Sequence, residues 1–400
     1  MTRAGLLLLI CSTLWSQTGK IQLGVDVLLS EQLDLLQGKR VGLITNQTGL
    51  TSSRVSTVDA LFAVSKLTAL FGPEHGVRGE EAGGKSIPGS VDAKTGVPVH
   101  SLYGKTYKPT PAMLSQVDVL VYDIQDIGSR AYTYIYTMAL SMEAARERGI
   151  PFIVLDRPNP LGGERVEGPV LDPAFKSFIG LYPIPYLYGM TVGELALYFN
   201  YECGIDAQLI VVPMKGWRRC MTFSDTGMLW IPTSPHIPHA QTPLYCAAVG
   251  CIGELGTVSE GVGWPAPFEL IGAPWMDGRR LADELNSRNL AGVFFRPVQY
   301  RPFYHSFKEQ LIQGVQLHIL DIQTFQPMAT QVHLLDAVHR LFPENDLFAT
   351  DRISSFDRAM GTDQVSLQIK QGKSPKDIIA SWQQDIVIYK QKRERFLLYR

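Results

Sequence analysis

The sequence predicts an α/β fold, with a Rossmann-like, doubly wound and mostly parallel sheet followed by a second, smaller α/β domain. Short runs of Val, Ile and Leu alternate with longer helix-like stretches, as in parallel strands joined by right-handed helical crossovers. The strand-like runs are apolar without interruption, which indicates strands buried on both faces. At 400 residues the chain is also longer than one typical domain.

The first half of the chain contains the elements of the larger sheet. Strands are predicted at 38–45, 66–71, 116–124, 150–156 and 207–213. Helices are predicted between them at 54–64, 132–149 and 191–202. Thr191 and Glu194 have the spacing of a capping box at the start of the last helix. That pattern gives Glu194 a structural interpretation.

A segment rich in Pro and Gly, 230–274, is predicted to join two lobes and to supply loops between them. Beyond it, helices are predicted at 279–289, 330–342 and 374–386, and strands at 291–300 and 314–321. Ser374 followed by Pro375 is typical of a helix start. We therefore predict a Rossmann-like domain over residues 21–244 and a C-terminal α/β domain over residues 245–400.

Residues 1–18 have the pattern of a secretory signal peptide, in which Arg3 precedes the apolar stretch 4–10 and polar residues follow. This pattern predicts export to the periplasm or the extracellular space. The apolar stretch is shorter than the roughly 20 residues of a membrane span. Cys11 raises lipid anchoring as an alternative, but Ile10 stands where a small residue is normally required, so an unanchored protein is favoured.

The charges and motifs exclude several functions. Lys+Arg total 37 and Asp+Glu total 38, so no basic surplus exists for nucleic acid. No long charge run marks an interaction tail, and no stable protein partner is predicted. No GxGxxG follows the first strand and GxxxxGK[ST] is absent, so no cofactor is predicted.

The best candidate for a metal site, His236 and His239 with Cys246 and Cys251, fits no standard zinc spacing. No metal site is therefore predicted. The same two cysteines are the closest pair for a disulfide, and buried free thiols are an equally good interpretation.

Polar side chains follow four of the predicted strands, at the edge where ligands bind to open parallel sheets. They are Asn46 after the first strand, Glu74, His75 and Arg78 after the second, Asp123, Asp126 and Arg130 after the third, and Asp156, Arg157 and Asn159 after the fourth. The repetition of this pattern at four strand ends predicts one shared crevice.

Glu74, within LFGPEHGVRG (70–79), is the leading candidate for chemistry. An acid between Pro and His in a Gly-bounded turn has little helix or core function. Glycosidic cleavage uses a proton donor and a second carboxylate, for which Asp123 and Asp126 are candidates. Nearby aromatic residues could stack on sugar rings; they are Tyr103, Tyr107, Tyr132 and Tyr134.

Structural alternatives exist for several of these residues. Asp123 could cap the following turn, and Asp156 could form an ion pair with Arg157. His75 could hydrogen-bond a loop carbonyl. The tyrosines of YTYIYTM have helical spacing, which is more typical of a core than of a sugar platform.

Long blocks of the sequence resemble one family. They include GLITNQTGL, LFGPEHGVRG, VYDIQDIGSRAYTYIYTM, VLDRPNPLGG and GLYPIPYLYGMTVGELA. With these blocks the chain resembles the exo-β-N-acetylmuramidases of the NamZ type from about residue 22 to the C-terminus. The resemblance implies an exo-acting glycoside hydrolase that releases N-acetylmuramic acid from the non-reducing ends of peptidoglycan fragments. It also implies an active site in a cleft between the two domains.

Carried over residue by residue, the resemblance implies catalysis by Glu74, with Asp126 or Asp123 as its partner. The substrate-binding residues that we expect are Asn46, His75, Arg78, Arg130, Tyr132, Asn159 and Glu260. N-acetylmuramic acid carries a lactyl carboxylate, so one arginine, Arg78 or Arg130, is expected to bind it.

Two loops depart from the family pattern. His236 stands where we expect Asn, and Val262 and Trp264 occur in SEGVGW where many relatives have SEGRGT. These changes keep open an alternative function, a non-catalytic protein that binds muramyl sugars or other glycans in the same cleft. A hydrolase for a different amino sugar is a third interpretation.

Overall fold

A seven-stranded sheet organises the first half of the chain in the computed structural model, which describes residues 21–79 and 90–400. The strands, in chain order, are β1 (Arg40–Thr45), β2 (Lys66–Gly72), β3 (Ser90–Val91), β4 (Pro98–Ser101), β5 (Val119–Asp123), β6 (Phe152–Leu155), β7 (Glu167–Val170), β8 (Pro185–Leu187), β9 (Leu209–Val212), β10 (Leu270–Ala273), β11 (Val293–Tyr300) and β12 (Ile312–Ile319). The large sheet has the order β3-β4-β2-β1-β5-β6-β9. Only its β3–β4 pair is antiparallel.

Helices cover both faces of this sheet and form most of the second half. In chain order they are α1 (Gly24–Glu31), α2 (Thr57–Val64), α3 (Tyr134–Arg148), α4 (Val192–Tyr201), α5 (Thr242–Gly253), α6 (Gly278–Ser287), α7 (Pro327–Leu341), α8 (Ile353–Met360), α9 (Gln364–Lys370), α10 (Pro375–Ser381) and α11 (Gln383–Arg393). The capping box of α4 is present, because Thr191 accepts from the Glu194 amide and Glu194 accepts from the Thr191 amide. Ser374 caps α10 as predicted.

Alternate residues of each central strand are buried on opposite faces of the large sheet. In β1, Leu43 packs into one apolar layer and Ile44 into the other. In β5, Val121 packs into the same layer as Leu43, and Tyr122 packs into the same layer as Ile44. This two-sided burial explains the unbroken apolar runs in the sequence, and the predicted α/β fold class is confirmed.

The later part of the chain contains a smaller antiparallel sheet, β10-β12-β11, packed with α6 and neighbouring helices. The segment 230–274, predicted to supply loops, also contains α5 and β10, which were not predicted. Pro243 lies in the first turn of α5, where proline is tolerated, so it marks a helix start. The boundary at residues 244 and 245 stays a prediction, and the signal peptide predicted at 1–18 lies outside the described residues.

Several expectations concern cysteines, metals and membranes. The four described cysteines are free thiols. Within residues 21–79 and 90–400, no group of His, Cys, Asp and Glu has the arrangement of a metal site. In the same ranges no helix has the length and apolarity needed to cross a bilayer.

Candidate active site

Glu74 lies in a tight turn directly after β2, at the carboxyl edge of the large sheet. The backbone is left-handed at His75 (φ 75°) and Gly76 (φ 80°), a conformation that is uncommon for a residue other than glycine. The turn leaves Glu74 half-buried. Ligands of open parallel sheets bind at this carboxyl edge, so the Glu74 side chain is in a position to contact one.

Tyr103, which follows β4, donates a hydrogen bond to the Glu74 carboxylate. Burial, together with the negative charge of Glu74, raises the pKa of Tyr103 to about 12. The phenol therefore stays protonated and remains a donor. Tyr107 and Phe178 pack beside Tyr103, with ring centroids 5.5 and 6.2 Å from it. Glu74 thus lies against an aromatic wall.

Two tyrosines at the start of α3 connect this wall to the segment after residue 231. The Tyr132 hydroxyl donates to Thr233 Oγ1 at 2.9 Å, and the Tyr134 hydroxyl donates to the Thr233 carbonyl at 2.5 Å. The rings of the two tyrosines lie 4.9 Å apart. Tyr134 also lies close enough to Glu74 to experience its charge. These contacts fix the chain around Thr233 beside Glu74.

Asn46 lies at the end of β1, next to Tyr134. Its Oδ1 accepts from the Thr48 amide at 3.0 Å and from the Thr48 hydroxyl. Its Nδ2 is buried and has no hydrogen-bond partner among the described residues. A buried donor without a partner is costly, which sets Asn46 apart from the satisfied polar groups around it.

The second half of the chain contributes Glu260 and His305. Glu260 Oε1 lies 3.1 Å from His305 Nε2, and the Glu260 side chain is 6% exposed. Gly253 in α5 makes room for this carboxylate, because a Cβ there would lie 2.6 Å from Glu260 Cδ. The hydrogen bond to Glu260 raises the pKa of His305. His305 is partly exposed, and its imidazole is held by the Glu260 carboxylate.

His236 contacts the loop after β11 and lies near His75. Its Nε2 lies 3.0 Å from the Tyr304 hydroxyl. Burial lowers the pKa of His236, and nearby His305 and His75 lower it further. His75 therefore belongs to the same cluster of imidazoles as the two histidines from the later part of the chain. Because the charges of Glu260, His305 and His75 all act on His236, and His75 is adjacent to Glu74 in the chain, this cluster contains side chains from both halves of the chain.

The predicted partners of Glu74 are enclosed by protein. Asp123 has no exposed surface and accepts from Arg157 Nε at 2.5 Å and from the Thr57 hydroxyl at 2.5 Å. Asp126 is 3% exposed and accepts from the Tyr188 hydroxyl and the Gly128 amide. Burial raises the pKa of Asp126 to about 6. A catalytic role for either aspartate stays a prediction, and this burial does not favour it.

The two predicted arginines have structural partners. Arg78 pairs with Asp92 at 2.9 Å and with Asp59 at 3.1 Å. Arg130 is fully buried and donates to the carbonyls of Ala359 and Met360 at the end of α8. These contacts do not favour binding of a substrate carboxylate by either arginine.

Other expected residues also have defined positions. Asn159 is buried and bridges the Met190 carbonyl and the Leu161 amide. The Arg157 side chain forms an ion pair with Asp123 rather than the expected one with Asp156. Tyr134 is buried, as the core interpretation of its helix expects, whereas Tyr132 is half-buried.

Sequence reasoning missed His305 and Tyr304. They lie after β11 in a loop with no apolar period and no motif, far along the chain from Glu74. The sequence pointed to this loop only indirectly. His236 and the stretch SEGVGW both contact the loop, and both depart from the family pattern.

Comparison with known proteins decides the family. The models for the N-terminal and C-terminal parts of the exo-β-N-acetylmuramidase NamZ match residues 41–241 and 245–399. The chain belongs to the NamZ family. A curated relative, the peptidoglycan β-N-acetylmuramidase NamZ of Bacillus subtilis (strain 168), is 48% identical over 382 residues, covering 95% of this chain and 92% of the relative.

Two solved structures of DUF1343 family proteins from Bacteroides fragilis NCTC 9343 share the NamZ family fold. One has a TM-score of 0.90 and 44% identity, and covers 95% of this chain and 99% of its own. The other has a TM-score of 0.78 and 31% identity, with 96% and 99% coverage. The predicted family resemblance is therefore confirmed.

Proposed function

We propose that this chain is an exo-acting glycoside hydrolase that releases N-acetylmuramic acid from the non-reducing ends of peptidoglycan fragments. The observation that carries the proposal is the position of Glu74, half-buried beside Tyr103 at the carboxyl edge of the sheet. The similarity to the muramidase of Bacillus subtilis supports the choice of sugar.

Glu74 is the general acid in this proposal. It gives its proton to the glycosidic oxygen as the bond from that oxygen to C1 of the terminal sugar breaks, and the bonding electrons stay with the oxygen. Proton transfer of this kind typically contributes a factor of about 10²–10⁴ to the rate. The Tyr103 hydrogen bond keeps the Glu74 carboxyl oriented while the sugar binds.

The pair of Glu260 and His305 supplies the second proton-transfer group. Glu260 accepts the Nε2 proton of the imidazole, which leaves the Nδ1 lone pair available to take a proton from the attacking water. The water oxygen then bonds to C1, and the imidazolium that forms is stabilised by the Glu260 carboxylate. Both groups enter the crevice from the second half of the chain.

The lactyl carboxylate of the substrate needs a cationic or hydrogen-bonding partner. Because Arg78 and Arg130 bind other groups, we assign this role to His75 and His236, which lie in the same cluster. Binding of the carboxylate would favour protonation of His236, which burial otherwise opposes.

The experiment is an assay with 4-nitrophenyl β-N-acetylmuramide and the corresponding N-acetylglucosaminide. Turnover of the muramide that is lost in Glu74→Gln, with the fold retained by circular dichroism, supports the proposal. Tight binding of muramyl sugars with no turnover of either glycoside would support the non-catalytic alternative instead.

We also propose that the protein is exported, on the basis of the signal-like pattern of residues 1–18. Its substrate, peptidoglycan, lies outside the cytoplasmic membrane. Fractionation of cells that express the full chain tests this, since retention in the cytoplasm with an uncleaved N-terminus contradicts export.

A further inference from the structure

We propose that Trp264, Phe303 and Tyr304 form an aromatic platform that binds the neutral sugar rings on the leaving-group side of the cleaved bond. This platform would extend the crevice beyond the terminal muramyl sugar. The inference rests on the proposed function, because it presumes that a glycan chain is cleaved at Glu74.

Two of the three aromatic residues are unusually exposed, and Trp264 is half-buried beside them. Phe303 is 64% and Tyr304 is 51% exposed, although they are adjacent in the chain. Trp264 stacks on Phe303 with ring centroids 5.5 Å apart and planes tilted by 20°. Adjacent exposed aromatic side chains on a soluble protein are typical of a binding surface rather than of a core. Flat exposed rings suit the C–H faces of pyranose sugars.

The backbone holds the platform in one arrangement. Gly263 has φ 91°, and a Cβ there would lie 2.0 Å from the Tyr304 carbonyl oxygen. The Phe303 amide donates to the Gly263 carbonyl at 2.8 Å. Trp264 also packs on the ring of Tyr300, at the edge of a small apolar cluster. The glycine therefore lets two loops touch and fixes the stack of Trp264 on Phe303.

The loop that carries Phe303 has strained backbone at several positions. His305, Phe307 and Glu309 have φ values of 70°, 59° and 62°. Such conformations persist only where surrounding contacts determine them, and they are common at binding sites. One such contact is the hydrogen bond from the Glu309 amide to the Pro302 carbonyl at 2.8 Å.

The platform is continuous with the crevice. The Tyr304 ring stacks on His236 at 6.0 Å, and its hydroxyl contacts His236 Nε2. The next residue, His305, binds Glu260. A glycan whose terminal sugar lies between Glu74 and Glu260 would therefore meet Tyr304 and then Phe303 with its following rings. This continuity identifies the occupant as the remainder of the substrate chain.

The test is Phe303→Ala in the full-length protein. Phe303 is mostly exposed, so its loss should not unfold the domain. We expect kcat/KM for a tetrasaccharide with N-acetylmuramic acid at its non-reducing end to fall roughly tenfold, the size of one lost aromatic stacking contact. The inhibition constant of free N-acetylmuramic acid, which reports on the terminal-sugar site alone, should stay within twofold of wild type.

Trp264→Ala should show the same selective loss, and Phe294→Ala is the matched control. Phe294 is also exposed, at 46%, but lies at the opposite end of β11 from this loop. Wild-type kcat/KM in Phe303→Ala, or an equal weakening of free N-acetylmuramic acid, contradicts the platform while leaving the proposed function intact. A wild-type protein that hydrolyses no muramyl glycan contradicts the proposed function and the platform together.

Discussion

Glu74, Glu260 and Asp126 show how neighbours assign different roles to similar carboxyl groups. Glu74 is half-buried at a strand end beside a phenol, and Glu260 is nearly enclosed but bound to a partly exposed imidazole. Asp126 is sealed by Tyr188 and the backbone. Residue type alone does not distinguish the roles of these three carboxyl groups, because the sequence does not show which acid remains open to the crevice.

Replacing Glu260 should change the pH dependence of catalysis. Glu260→Gln removes the negative charge and weakens the acceptor that raise the pKa of His305, so the imidazole should lose its proton at lower pH. The acid limb of the kcat/KM profile should therefore move to lower pH, with a lower maximum because the imidazolium is less stabilised. Steady-state kinetics between pH 4 and 9, roughly, would measure this.

The other charges near His305 belong to Arg352, Glu254 and His236, and they act less strongly than Glu260. Glu254→Gln is thus a suitable control and should leave the acid limb almost unchanged. An acid limb that stays in place in Glu260→Gln would rule out His305 as the base.

Asp126 should affect stability rather than the acid limb. Its folded-state pKa, about 6, lies above the ordinary value of 3.8, so the folded protein binds this proton more tightly. The stabilisation is complete when the pH is below the ordinary pKa of 3.8, and it is lost as the pH rises through the folded-state pKa of about 6. In wild type this loss lowers the free energy of unfolding by roughly 2–3 kcal/mol, and Asp126→Asn should abolish that pH-dependent decrease.

Urea unfolding at several pH values across this window would measure the decline. Glu147→Gln, which replaces a carboxylate with 55% of its side chain exposed, is the control and should reproduce the wild-type curve. If the free energy of unfolding of Asp126→Asn depended on pH as it does in wild type, Asp126 would be ionised in the folded protein across this pH window.

Five of the seven strands of the large sheet and the helices between them could be predicted because their sequence pattern is local, whereas α1 and the short strands β3 and β4 were not predicted. β1, β2 and β5 are apolar runs, and α4 begins with a capping box. α5 was not predicted because it begins within the Pro-rich segment, where Pro243 lies in its first turn. The loop after β11 could not be predicted, since its conformation depends on contacts with Gly263 and His236 from other segments.

The contact between the 259–264 and 302–309 loops should depend on one glycine. Gly263→Ala places a methyl group against the Tyr304 carbonyl at a backbone angle that alanine disfavours. We expect the free energy of unfolding to fall by about 2 kcal/mol. Turnover of muramyl glycans should also fall, because His305 moves with the loop. Thermal melts and steady-state kinetics would measure both effects.

Gly372→Ala is a matched control, because Gly372 also has a positive φ (73°) but no atoms lie within 4 Å of a Cβ built there. It should show a smaller loss of stability and normal turnover. Equal effects of the two substitutions would contradict a specific role for the contact with Tyr304.

The whole molecule brings together groups that lie far apart in the chain. The sheet lobe supplies Glu74 and Tyr103, the segment after residue 231 supplies His236, and the second half supplies Glu260 with His305. Family resemblance could predict the fold and the general location of this site. Glu260 was expected to bind substrate, but its pairing with His305 could not be predicted, because that contact joins two loops that lie far apart in the sequence.

The central claim is that this crevice removes single N-acetylmuramic acid units from glycan ends. The most direct measurement is mass spectrometry of the products from a peptide-free glycan with N-acetylmuramic acid at its non-reducing end, using wild type and Glu74→Gln. We expect free N-acetylmuramic acid as the first product of wild type and a loss of roughly 10²–10⁴ in its rate of release by Glu74→Gln. Internal oligosaccharides as first products, or undiminished release by folded Glu74→Gln, would contradict it.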